Sequence, residues 1–135
     1  MKLFWIALCA ALLAPVLIAL GQTSPGDMVV DVPFAFEVGG QHLPAGHYIV
    51  AAGAGSYVSI FNSQNRGLYA TTHRASRTTS DGSKLVFHRY GDTYFLSSAW
   101  VTGNANGREF SRSKAERELA DRKSEMEMAV VRPAK

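Results

Sequence analysis

The stretch that most constrains this chain is Lys84 to Trp100, KLVFHRYGDTYFLSSAW, the densest aromatic and aliphatic run outside the N-terminus. Gly91-Asp92 divides it into two β-prone segments, Leu85 to Tyr90 and Thr93 to Leu96. A two-residue loop with glycine first suits a type II′ turn, because glycine reaches positive φ without a Cβ clash. That turn sets the register: Tyr90 opposite Thr93, Arg89 opposite Tyr94, His88 opposite Phe95, Phe87 opposite Leu96. Side chains alternate across a strand, so the register sorts the hairpin into two faces. Leu85, Phe87, Arg89, Tyr94, Leu96 and Trp100 fall on one, which is the more apolar and is predicted to meet the core. Val86, His88, Tyr90, Thr93, Phe95 and Ser97 fall on the other. Near the turn, Arg89 is placed to lie on the Tyr94 ring while its head reaches water. The second face is either half-buried beneath another element or open. An open face would make His88, Tyr90 and Phe95, with Arg89 and Tyr94 beside them, the candidate ligand-binding residues.

The first 21 residues read differently. Lys2 precedes an 18-residue apolar run from Leu3 to Leu20, and Ala19-Leu20-Gly21 supplies small residues for cleavage. This is the pattern of a secretory signal peptide, with cleavage expected after Gly21 and a periplasmic or secreted product. The alternative is an uncleaved anchor at the lower length limit for spanning a bilayer. A lipoprotein is not expected, since Cys9 lies inside the apolar run behind Leu8. Residues 22–135 then form a single β-rich domain of 114 residues, large enough to bury about two-thirds of its unfolded surface. Cys9 is the sole cysteine, so that domain has no disulfide, thiol nucleophile or thiolate metal site. Without Lys2 it carries 13 Lys and Arg against 11 Asp and Glu, too even a balance to point to nucleic acid.

Further strands follow from pattern. Val30, Val32, Phe34, Phe36 and Val38 recur at a period of two, interrupted by Pro33, which favours an edge strand or a break between two short ones. Gly39-Gly40 and Leu43 to Gly46 read as turns, and His47 to Ala52, Tyr57 to Phe61 and Leu68 to Thr72 as strands. His73 to Ser83 and Gly103 to Gly107 lack large apolar residues and read as loops, the first alternatively as strand tips beyond the core. Ser113 and Glu116 fit a capping box, so a helix is predicted over about 113–124. Its narrow apolar stripe around Leu119 suits a surface helix docked through Leu119 and Phe110. Met126 to Val131 alternates again and is favoured as a last strand. Short strands at regular spacing predict a mainly β fold, a small antiparallel sandwich or barrel with a C-terminal surface helix.

Two blocks carry a resemblance. Val30 to Tyr48, VDVPFAFEVGGQHLPAGHY, and the LVFHRYGDTYFL core of the hairpin, with SKAERELA at Ser113 to Ala120, resemble a group of small secreted bacterial proteins of unknown function. The resemblance covers most of the chain after residue 21. It implies a signal peptide and one β-rich domain, and no activity. The shorter LPAGHY segment is similar to the strand entry of transthyretin-like and carboxypeptidase-regulatory sandwich modules.

No catalytic constellation stands out. His42, His47, His73 and His88 lack metal-site spacing, and no metal or other cofactor is expected. His88, Asp92 and Ser97 or Ser98 lack the G-x-S-x-G elbow of a hydrolase. Paired carboxylates for glycoside hydrolysis are not evident among Asp31, Glu37, Asp81 and Asp92. Tyr48, Tyr57, Tyr69, Tyr90, Tyr94 and Trp100 are either core rings or platforms for sugars and peptides. Arg66, Arg74 and Arg77 with His73 make a loose basic patch, without the aromatic interleaving of a nucleic-acid surface. The expectation is therefore a non-catalytic binding or structural module of the cell envelope. Its partner would be an envelope carbohydrate or protein, bound through the hairpin face or the two polar loops. The alternatives are a small hydrolase or metal-dependent enzyme using His88 and nearby acids, and self-association through an edge strand. Membrane contact is expected only through the N-terminal segment if it is retained.

Overall fold

Alternation of more and less buried side chains runs through the strands of residues 27–38 and 46–72. A computed structural model describes residues 27–52, 56–76, 82–101, 106–122 and 125–133. The segment read as a signal peptide, residues 77–81 of the first polar loop and residues 103–105 of the second lie outside the described residues. The elements are β1 (Asp27–Val32), β2 (Phe36–Val38), β3 (Gln41–Leu43), β4 (Gly46–Ala52), β5 (Tyr57–Asn62), β6 (Gly67–Ser76), β7 (Lys84–Tyr90), β8 (Thr93–Trp100), β9 (Asn106–Phe110), α1 (Lys114–Arg122) and β10 (Glu127–Val131).

The strands are hydrogen-bonded in the order β1-β4-β5-β6-β9-β8. From β8 the sheet continues through β7 to β10, and the β2-β3 hairpin joins β8 by one parallel bridge, Glu37 to Phe95. β6 links the two layers. Its first half pairs with β5 and its second, Thr72 to Ser76, with β9. A strand that changes partners in mid-course is how sandwiches and barrels turn a corner. β10 runs close to β1, so the layers wrap one core. Among the described residues the fold is mainly β and sandwich-like, with one short helix near the C-terminus.

Inward positions fill the core. Phe36 packs edge-on against Tyr48 and Phe87, with centroids 5.3 and 5.4 Å away. Each such ring buries roughly 1.5–3 kcal/mol of transfer free energy. The break at Pro33 divides the first alternating run into β1 and β2, one of the two outcomes its position allowed. β1 ends the hydrogen-bonded strand order, paired with β4 alone, and lies near β10.

Three local features depart from the sequence reading. Gly39 and Gly40 both have positive φ, 58° and 77°, which makes a type I′ hairpin turn. β3 is therefore a strand that its own composition hides, since Gln41 and His42 face solvent. β9 begins at Asn106, within the segment read as a loop to Gly107. Gly107 packs on Trp100, and an added Cβ would sit 2.4 Å from the indole, so this glycine marks a close approach rather than a turn. Finally, β7 and β8 keep the predicted register from Tyr90–Thr93 to Phe87–Leu96, then shift by one residue. The bulge puts Ala99 opposite Leu85 and turns Ala99, rather than Trp100, into the core. Trp100 moves to the other face, where its Nε1 donates to Ser98 Oγ at 3.0 Å. A bulge re-aims every later side chain of its strand.

Tyr48 and Tyr90 are fully buried, and burial raises both phenol pKa values above the usual 10.0. The folded state holds these protons more tightly than the unfolded chain. Their contribution is therefore complete below about pH 10 and falls as pH rises through the higher folded values. Urea midpoints should decline between pH 9.5 and 11.5, with a shallower decline in Tyr48→Phe and Tyr90→Phe. Equal slopes in all three proteins would contradict the assignment.

Candidate functional site

The central hairpin presents its candidate residues on opposite faces, as the register requires. Gly91 has φ 63°, the positive value a type II′ turn needs at its first central residue. On the core side, the Arg89 guanidinium carbon lies 5.6 Å from the Tyr94 centroid, as the sequence predicts. Arg89 Nε also donates to the Gly91 carbonyl at 2.7 Å, and its Nη1 lies 3.4 Å from Glu127. Tyr94 stacks on Phe34 at 3.7 Å with an interplanar angle of 12°. Arg89 and Tyr94 thus spend their contacts within the chain.

The other face is roofed by α1. Tyr90 and Phe95 are buried, their rings edge-to-face at 5.8 Å. The roof is held by an acid. Ser113 caps the helix, accepting from the Glu116 backbone N–H at 3.1 Å, and this sets Glu116 on the inner side of the first turn. The Glu116 carboxylate then does not serve the reciprocal half of a capping box. Its Oε1 accepts from His88 Nδ1 at 2.6 Å and from the Tyr90 hydroxyl at 3.2 Å, with Arg112 Nε 3.8 Å away. Burial is the main cause of the raised Tyr90 pKa, and the Glu116 charge and hydrogen bond add to it while Arg112 opposes it. The side chains of His88 and Glu116 are 13% and 5% exposed. Docking through Leu119, predicted from the apolar stripe, is the lesser part, since Leu119 is only half-buried. Nothing in the sequence connects Glu116 to a histidine 28 positions earlier. The capping pattern accounted for it and concealed its second role.

The histidines do not gather. His42 pairs with Glu37 across the β2-β3 turn at 3.6 Å, and His47 hydrogen-bonds Asp31 across β1 and β4. His73 Nε2 lies 3.0 Å from Ser111 Oγ. Among the described residues no three His, Cys, Asp or Glu side chains are placed to share a metal ion.

The exposed rings lie elsewhere, on the outer face of β5 and β6. Of the aromatics singled out in the sequence, Tyr48, Tyr90 and Trp100 are buried and Tyr94 is half-buried, whereas Tyr57 and Tyr69 are 48% and 69% exposed. Half-buried Phe61, two steps of the alternation beyond Tyr57, adjoins them and was not among the candidates. Tyr69 stands edge-to-face with both, 5.9 Å from Tyr57 and 5.3 Å from Phe61. Ile49 extends the patch from β4, directly opposite Phe61. Gly67, also opposite Phe61, allows β5 and β6 to approach closely beneath the rings. The rings are braced against each other rather than coplanar.

No family model, curated protein or solved structure matches this chain.

Proposed function

We propose that this protein is a non-catalytic binding module of the cell envelope, exported by its first 21 residues, and that its contact surface is the Tyr57-Phe61-Tyr69 face. The observation that supports this reading is a pair of exposed rings, Tyr57 and Tyr69, with half-buried Phe61 against Tyr69 and exposed Ile49 beside it, on one face of β4, β5 and β6. Contiguous exposed apolar surface marks interaction sites more often than it marks idle surface. Edge-to-face packing also restrains Tyr69 before any ligand arrives, which reduces the ordering cost of binding. The N-terminal pattern and the resemblance to small secreted bacterial proteins support export. An envelope glycan suits the chemistry, since an amphipathic ring offers a flat apolar face and a hydroxyl rim.

The His88–Glu116 contact is the observation that favours a small hydrolase. Beneath α1, with Tyr90 on the same oxygen, we assign it instead to holding the helix. The aromatic reading is tested by sedimenting the full-length protein with isolated cell-wall glycan. Tyr69→Ala should weaken retention at least tenfold, about 1.4 kcal/mol, with little change in thermal stability because the ring is exposed. Wild-type retention of the variant would refute the aromatic face.

A further inference from the structure

Beside Tyr69 the surface is concave. A cleft of about 460 Å³ lies where the Gly39-Gly40 turn, the middle of β6 and the segment leading into α1 meet. Its volume falls within the range of small-ligand sites, roughly 300–1,000 Å³. Gly40, Tyr69, Thr71, Ser111, Arg112 and Lys114 supply its chemistry. We infer that this cleft takes a sugar bearing a carboxylate. The inference rests on the reading of Tyr69 as a contact ring and adds the class of ligand to it.

The lining argues for this class. Tyr69 offers an exposed ring as one wall. Thr71 and Ser111 offer hydroxyls that donate and accept, as a polyol requires. Arg112 and Lys114 supply two cations, 49% and 84% exposed, and no lining residue is acidic. Their intrachain partners, Glu116 and Glu118, are each 3.8 Å away, beyond hydrogen-bonding distance. The Arg112 contact runs through Nε, and a planar guanidinium fork matches a carboxylate in two parallel hydrogen bonds. An uncharged sugar would leave both cations with only these longer intrachain ion pairs.

Titration calorimetry of the full-length protein with trigalacturonate and with maltotriose tests the inference. Trigalacturonate should bind at least tenfold more tightly, and its affinity should fall as salt rises from 50 to 300 mM. Lys114→Gln should weaken it three- to tenfold and Tyr69→Ala at least tenfold. Lys114 is so exposed that its variant should melt with the wild type. Arg112→Lys, which keeps the charge and loses the fork, should fall between. Equal affinity for the two sugars, or no effect of Lys114→Gln and Arg112→Lys, would overturn the carboxylate assignment while a Tyr69→Ala loss left the aromatic face standing. Inorganic phosphate binding as tightly as trigalacturonate would reduce the cleft to a plain anion site and overturn it also. No binding of either sugar overturns the inference, and glycan sedimentation then decides the aromatic reading separately.

Discussion

Gly67→Ala is expected to lower the stability of the domain by about 3 kcal/mol, the upper end of ordinary overpacking costs. A Cβ at this position would lie 1.8 Å from the Ile60 carbonyl oxygen and 2.7 Å from the Phe61 Cα. Both are backbone atoms, so no side-chain rotation relieves the clash. β5 and β6 must separate at the Phe61–Gly67 pair, within the ladder that carries the exposed rings. The melting temperature should drop by roughly 10 °C or more, and glycan retention should fall with it. Two controls set the scale. Gly40→Ala meets nothing within 4 Å but must hold φ near 77°, which costs about 1–2 kcal/mol. Gly107→Ala meets the Trp100 indole at 2.4 Å, a side chain rather than backbone, and should cost less than Gly67→Ala. A Gly67→Ala protein melting within 2 °C of wild type would show that the two strands do not approach as described.

Glu116→Ala is expected to cost about 3–5 kcal/mol, the penalty for removing one partner of a buried charged contact. The carboxylate is buried, and its removal takes the shared acceptor from His88 and Tyr90 and the nearby opposite charge from Arg112. The loss should appear first as release of α1, read by faster amide exchange over residues 114–122 and by quenching of Tyr90 and Trp100 fluorescence. A double-mutant cycle separates the contact from the helix. Glu116→Leu combined with His88→Phe should lose less than the two single changes summed, because apolar replacements leave no stranded charge. Strict additivity would mean that the two side chains do not interact. Glu118→Ala, exposed and two residues further along the helix, should change little.

These two positions differ in how far the sequence announces them. Gly67 ends a polar loop and precedes an alternating run, so it reads as a turn glycine. Its actual constraint is a neighbouring strand, which local sequence does not contain. Glu116 sits three residues after a serine and satisfies the capping pattern completely. The burial that turns it into an acceptor for His88 comes from where α1 lands. The Phe61 ring likewise reads as one inward or outward position of a short strand, and its contact with the exposed Tyr69 depends on the register of β5 against β6.

What the sequence determined by itself was everything governed by neighbours in the chain. Glycine at Gly91 and at Gly39-Gly40 set the hairpin turns, and the turn at Gly91 set four cross-strand pairs correctly. Pro33 divided the first strand, Ser113 started the helix, and period-two alternation placed most of the β structure, including β10. Tertiary structure decided which strands lie side by side, where the bulge in β8 sends Trp100, and which face of the hairpin α1 covers. It also decided which tyrosines are buried and which stand in water. The reason is physical. Turn geometry and alternation are properties of a few consecutive residues, whereas burial is a property of surfaces that meet only when distant segments pack. The contact of His88 with Glu116 and the exposure of Tyr69 both belong to that second kind.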